Sequence, residues 1–168
     1  MGAKSILVVD DDEVTRHIHC MRLGDLGFEL VEARDDREAL VGSRLHNLGL
    51  VLLDLRGRGQ NPYRVAEELK RNPATAAVPV LIVSGSLFRD HSPGGEQRLG
   101  AADVYLGKPV NATVMRMAVL ALVEPSDPAQ TAARLTELQA QYSTRHEILV
   151  SRRLRELHSV GAAVADAG

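Results

Sequence analysis

Acidic side chains directly follow two of the short apolar runs in this 168-residue sequence. Asp10 and Asp11 come after the run at 5–9, and Asp54 comes after the run at 50–53. Carboxylates that are brought together repel each other and have raised pKa values unless a cation neutralises them. A cluster of oxygen ligands with room for water suits Mg²⁺, and the presence of only one cysteine argues against a soft-metal site. These acids therefore predict a magnesium site, provided that the fold brings the two runs together.

Two further polar groups follow later apolar runs. Ser84 comes directly after the run at 78–83, and Lys108 follows the run at 103–106 and precedes Pro109. If all four runs are parallel strands of one sheet, their carboxyl ends share one edge, where such sheets bind ligands. A hydroxyl and an ammonium group would then arrive at the same edge as the carboxylates.

Five short apolar runs alternate with five helix-like stretches through about residue 123. The runs lie at 5–9, 28–32, 50–53, 78–83 and 103–106, and the helix-like stretches at 13–26, 36–46, 62–72, 88–100 and 112–123. This alternation predicts an α/β fold with a doubly wound, five-stranded parallel sheet of order 2-1-3-4-5, as in flavodoxin-like proteins. The run at 28–32 alternates apolar and acidic residues, which favours a place at the sheet edge.

The composition changes after residue 123. Residues 1–123 are expected to form one domain, residues 124–128 a breaker-rich linker, and residues 129–168 a long C-terminal helix. From Leu135 to Val164, a seam of mostly apolar residues recurs every three or four positions, which is typical of a coiled coil. An isolated helix could not bury such a stripe, so we expect a homodimer through residues 129–165.

Composition excludes several classes of protein. The chain is 45% apolar and 25% charged, which is sufficient for a packed core. Only 3% of its residues are aromatic and its net charge is −2, so we expect no nucleic-acid partner. The single cysteine, Cys20, rules out an intramolecular disulfide and favours a reducing, cytoplasmic location. No apolar stretch approaches the length of a membrane span, so no membrane insertion is expected.

The strand-end groups, in this order, resemble those of the receiver domains of two-component response regulators over about residues 4–123. The resemblance implies that Asp54 accepts a phosphoryl group from a sensor histidine kinase or a phosphotransfer protein. It also implies the ligands of Mg²⁺, which are Asp10, Asp11, Asp54 and the backbone carbonyl of Arg56. Ser84 and Tyr105 match the family's switch hydroxyl and aromatic residue. Lys108 matches the lysine that pairs with the phosphoryl group, and its peptide bond to Pro109 is expected to be cis.

The resemblance predicts a signalling domain rather than an enzyme, with at most self-catalysed phosphorylation and dephosphorylation. The signal would pass through the C-terminal helix to a downstream domain or a partner. One alternative is a pseudo-receiver that serves as a scaffold without being phosphorylated. Another is a receiver fused to the start of a histidine-kinase-like phosphotransfer helix, with His158 or His146 as the acceptor.

The histidines and the cysteine give weaker indications of a functional site. His17 and His19 lie two apart on the predicted first helix, on different faces, and no set of histidines has metal-ligand spacing. We therefore expect no metal site that involves histidine. Cys20 is expected to be a small core residue rather than a reactive thiol.

Overall fold

A computed structural model describes residues 4–45, 47–54, 61–85, 102–124, 127–142 and 148–150. The chain divides into two compact units, Met1–Val83 and Ser84–Gly168. The predicted helix at 88–100, the loop that contains Arg56, and both His146 and His158 lie outside the described residues.

The first unit is built on parallel strands with helices between them. Its elements are β1 (Ser5–Asp10), α1 (Glu13–Leu23), β2 (Glu29–Ala33), α2 (Asp36–Leu45), β3 (Leu48–Asp54), α3 (Pro62–Arg71) and β4 (Val80–Ser84), whose last residue begins the second unit. Strand β1 pairs in parallel with β2 and β3, and β3 pairs in parallel with β4. Every residue of β1 is buried, as expected for a strand that is covered on both faces.

The strand order in the sheet is β2-β1-β3-β4-β5-β6. The predicted fold class and the order 2-1-3-4-5 are therefore confirmed, and β2 lies at an edge as its alternating sequence indicated. The sixth strand was not predicted.

Side-chain caps fix where the helices begin. The Asp12 carboxylate accepts a hydrogen bond of 2.7 Å from the Thr15 N–H, which starts α1 directly after the acidic pair. Asn61 caps the first turn of α3 through the Tyr63 N–H, and Pro62 occupies the first helical position. None of the helices within the described ranges is both long and apolar enough to cross a membrane.

The second unit continues with β5 (Val104–Gly107), α4 (Ala112–Val123), α5 (Pro128–Tyr142) and β6 (Ile148–Val150). Strand β6 pairs antiparallel with β5, so that Val104 lies opposite Val150 and Leu106 opposite Ile148. Helix α5 packs against both α4 and β6. The Gln139 side chain donates a 3.0 Å hydrogen bond to the Ile148 carbonyl, which ties the end of α5 to β6.

The prediction of one continuous helix from residue 129 onwards is wrong. A helix is present from Pro128, and the Asp127 carboxylate caps it by accepting a hydrogen bond from the Ala129 N–H. It ends at Tyr142, however, and Ile148–Val150 form a strand. Strand β5 offers backbone donors and acceptors along its edge, and the β-branched Ile148 and Val150 favour extended structure. Residues 151–168 lie outside the described part of the chain.

Within the described residues, the structure buries the part of the seam on which the homodimer prediction depended. Leu135 is 0% exposed and Leu138 is 2% exposed, because α5 packs within its own unit. Val150, also in the predicted seam, is buried in β6. These residues do not form an exposed stripe that needs a second copy of the chain. Dimerisation itself stays a prediction.

Candidate functional site

Two buried carboxylates define the site in the first unit. Asp10 ends β1 and Asp54 ends β3, and the two residues are partners in the parallel register of these strands. Both are 0% exposed. Removing two like charges from water costs free energy unless hydrogen bonds or cations compensate for them. The sequence correctly predicted that the ends of these two strands would meet.

His19 is the third member of this group, and sequence analysis missed it. It is 3% exposed on α1, and its Nε2 lies 3.0 Å from Asp54 Oδ2 and 3.6 Å from Asp10 Oδ2. Its Nδ1 has no hydrogen-bond partner among the residues that the structure describes. The expectation of no metal site that involves histidine did not anticipate that His19 would lie against both carboxylates. Spacing along α1 could not reveal contacts made across the fold.

Arg16 holds the end of β1 from the same helix. Its Nη1 donates a 2.8 Å hydrogen bond to the Asp10 carbonyl, and its Nε donates one of 2.9 Å to Glu32 on β2. Residues three apart on a helix are neighbours on its surface, so Arg16 and His19 can both face the strand ends. The Asp12 N–H also donates to Asp10 Oδ1 at 2.9 Å, which fixes that carboxylate relative to the start of α1.

The donor set fits Mg²⁺. One ligand atom from each of Asp10, His19 and Asp54 lies within 4.8 Å of the others, and carboxylate oxygens are the protein ligands that Mg²⁺ prefers. Ligation through His19 Nε2 would place a hydrogen on the buried Nδ1, where the described residues offer no acceptor. The two carboxylates are therefore the better ligands. Asp11, the next residue after β1, is exposed and lies outside this buried group.

The remaining site residues predicted from sequence belong to the second unit. The Lys108 N–H donates a 2.9 Å hydrogen bond to the Ser84 carbonyl, which brings together the backbone at the ends of β4 and β5. The Lys108–Pro109 peptide is cis, as expected. Tyr105 is fully buried in β5, and its hydroxyl accepts a 3.2 Å hydrogen bond from the Ala102 N–H. Arg56 is outside the described residues.

Cys20 lies beside this site without the properties of a nucleophile. The pKa of its thiol is raised to about 11. Burial is the largest cause, the negative charge of Glu32 also raises the pKa, and the positive charge of Arg16 lowers it by a smaller amount. A thiol with so high a pKa is almost wholly protonated near neutral pH and is a poor nucleophile. This supports the prediction of an unreactive cysteine.

The chain is similar in sequence and in fold to known proteins. A family model described as the response regulator receiver domain matches residues 6–120. The probable transcriptional regulator ycf27 of Cyanophora paradoxa is 32% identical over 128 residues, which are 76% of this chain and 51% of that protein. The chain spans about half the length of the transcriptional regulators that it matches.

Solved structures share the fold. One is the receiver domain of a Pseudomonas aeruginosa sensor histidine kinase with a magnesium ion coordinated in its active-site cleft. It has a TM-score of 0.65 and 19% identity, over 74% of this chain and 100% of that one. Another is the response regulator TrrA of Thermotoga maritima in complex with Mg²⁺ and BeF. It has a TM-score of 0.61 and 28% identity, over 71% of this chain and 98% of that one.

Proposed function

Because this chain belongs to the family of response regulator receiver domains, we propose that it accepts a phosphoryl group on Asp54. The donor is a sensor histidine kinase or a phosphotransfer protein. The observation that carries the proposal is the buried pair of Asp10 and Asp54 at the ends of neighbouring parallel strands. The chain acts as a signalling domain, and its catalysis is limited to its own phosphorylation and dephosphorylation.

The chemistry requires little of the protein beyond placement. An ionised Asp54 is already a nucleophile, so no general base is needed. One of its oxygens bonds to phosphorus while the phosphorus–nitrogen bond of the donor histidine breaks, and that electron pair stays with the donor's imidazole. Mg²⁺, when bound, neutralises charge on the phosphoryl oxygens. In this proposal its ligands are Asp10, Asp11, Asp54 and the Arg56 carbonyl.

The second unit supplies the response to phosphorylation. We assign Lys108 to the phosphoryl oxygens and the Ser84 hydroxyl to the switch that reorganises towards them. Tyr105, the switch aromatic residue, lies in β5, and the backbone of β6 pairs with this strand. A change at Tyr105 therefore reaches β6 and α5 through direct contacts, and this route leads to a downstream domain or a partner. The proposal places the chain in the cytoplasm, with which a single, protonated cysteine is compatible.

Labelling with radioactive acetyl phosphate tests the assignment of Asp54. We expect the wild-type chain to take up one phosphoryl group in Mg²⁺ and none in EDTA, and Asp54→Asn to take up none. Asp25→Asn, which neutralises an exposed aspartate of the same unit, serves as the control and should label normally. Full labelling of Asp54→Asn would show that the acceptor lies elsewhere. A wild-type chain that takes no label would favour the scaffold alternative.

A further inference from the structure

The contact between His19 and Asp54 carries an inference that rests on the proposed function and goes beyond it. We propose that His19 is a positioning residue that stabilises the departing Asp54 carboxylate and so shortens the lifetime of the aspartyl phosphate. The contact is direct, at 3.0 Å between His19 Nε2 and Asp54 Oδ2. Both side chains are buried, at 3% and 0% exposure, so water does not compete for it.

The surroundings of the imidazole decide which nitrogen carries the hydrogen. Nδ1 is buried and has no hydrogen-bond partner in the described part of the chain, whereas Nε2 faces carboxylate oxygens of Asp54 and Asp10. A hydrogen on Nδ1 alone would leave a buried donor unsatisfied and would aim the Nε2 lone pair at negative oxygens. His19 therefore donates its Nε2–H to Asp54 Oδ2.

This hydrogen bond distinguishes the two oxygens of Asp54. In this proposal Oδ1 is the oxygen that bonds to phosphorus, so Oδ2 keeps its hydrogen bond from His19 and becomes the carbonyl oxygen of the acyl phosphate. In hydrolysis, the oxygen of water bonds to phosphorus and the bond between phosphorus and Oδ1 breaks. Its electron pair returns to the Asp54 carboxylate, the water proton passes to solvent, and inorganic phosphate leaves.

The hydrogen bond from His19 becomes stronger during this step. Oδ2 is a neutral carbonyl oxygen in the acyl phosphate and shares a full negative charge once phosphate has left. Hydrogen bonds to charged acceptors are roughly twice as strong as those between neutral groups. An interaction that is stronger in the transition state than in the ground state accelerates the step. His19 therefore speeds the loss of the phosphoryl group without contacting phosphorus.

Decay of the label tests the inference. The full chain is labelled with radioactive acetyl phosphate in Mg²⁺, the donor is removed, and loss of label is followed in Mg²⁺ and after addition of EDTA. We expect His19→Leu to lengthen the half-life about tenfold in both conditions, a change of about 1.4 kcal/mol in the barrier. His19→Gln keeps an N–H that can reach Asp54 and should restore a half-life near that of the wild type. His17→Leu, at an exposed histidine of the same helix, should change nothing.

Each other outcome has a defined meaning. A labelled, folded His19→Leu chain with the wild-type half-life would overturn the inference and leave the proposed function intact. An equal change in His19→Leu and His19→Gln would show a packing effect and would also overturn it. Failure of the wild-type chain to label would overturn both. If His19→Leu does not fold, as judged by thermal unfolding, His19→Met provides a second apolar replacement with the same expected result.

Discussion

Asp10 and Asp54 lie directly opposite each other in the register of β1 and β3. The parallel pairing therefore forces two carboxylates together at the place where both strands end. The Asp12 N–H donates a hydrogen bond to Asp10 Oδ1, and His19 donates one to Asp54 Oδ2. The remaining negative charge is what a divalent cation would neutralise.

Neutralising Asp11 should weaken magnesium binding without harming the fold. Asp11 is exposed beside the buried pair, so Asp11→Ala removes one negative charge and no core contact. We expect Mg²⁺ affinity to fall about tenfold, equivalent to 1.4 kcal/mol, when Mg²⁺ alone is titrated in a calorimeter. The melting temperature in EDTA should be unchanged or higher, since one repelling charge is gone.

Asp12→Asn is the matched control for this experiment. It also removes a negative charge, but asparagine caps a helix as well as aspartate does, so α1 is preserved. Its Mg²⁺ affinity should stay within about threefold of that of the wild type, a difference of under 1 kcal/mol. Equal losses of affinity in both variants would show only the effect of net charge and would contradict a specific role for Asp11.

Truncating Leu135 should destabilise the chain independently of its concentration. Leu135 is 0% exposed within its own unit, so Leu135→Ala should lower the free energy of unfolding by about 2–5 kcal/mol. Denaturant unfolding at two protein concentrations measures this loss. Glu137→Ala, at an exposed position of the same helix, should change it by no more than about 0.5 kcal/mol. A loss that grows as the protein is diluted would indicate instead that Leu135 lies in an interface between chains.

Arg16 should contribute more stability than its ion pair with Glu32 indicates. Glu32 has a half-exposed side chain, at 50%, so the ion pair alone is worth about 1 kcal/mol or less. The bond from Arg16 to the Asp10 carbonyl is better shielded, and Arg16→Met should lower the free energy of unfolding by about 1.5–3 kcal/mol. Glu32→Gln should cost less than half as much. Equal costs for the two variants in chemical denaturation would mean that the contact with Asp10 contributes nothing.

Cys20 should react slowly with iodoacetamide. Its pKa of about 11, against an ordinary value of 9.0, lowers the fraction of thiolate at pH 8 about a hundredfold relative to an exposed thiol. The reaction rate should therefore still be rising between pH 9 and 10. Because ionisation is harder in the folded state, the folded chain should also lose stability above pH 9 relative to Cys20→Ala. Glu32→Gln should speed the reaction, and a rate equal to that of the unfolded chain would contradict the raised pKa.

The strands were predictable from sequence because their burial is continuous along the chain. The runs that became β1 and β3 are apolar at nearly every position, and a strand that is buried on both faces needs only that pattern. Helix α1 shows why His19 was missed. Its apolar residues Val14 and Met21 are 68% and 70% exposed, whereas the polar His19 is buried. At these three positions the usual relation between polarity and burial is reversed. The hydrophobic periodicity of α1 therefore gave no signal that His19 belongs to the site.

The C-terminal region was mispredicted for a different reason. Local periodicity continues from Leu135 through Val150 and favours a helix at every step. The strand at 148–150 depends on pairing with residues 104–106. Those residues are distant in sequence, so the local periodicity around 148–150 carries no information about them. The same limitation applies to the argument for the homodimer, because Leu135 and Leu138 of the predicted stripe are buried within the same chain. Residues 151–168 of that stripe lie outside the described residues, and dimerisation itself stays a prediction.

The pairing of β5 with β6 also means that, during synthesis, β5 leaves the ribosome before the strand that pairs with it. The two strands are separated by about 40 residues, so at ordinary rates of synthesis roughly two to eight seconds pass between their emergence. During that interval the edge of β5 that β6 later covers presents unpaired backbone groups. An open strand edge is a template for pairing with another chain. We therefore expect nascent chains that are translated close together on one messenger RNA to be open to mispairing at this edge until residues 148–150 have emerged.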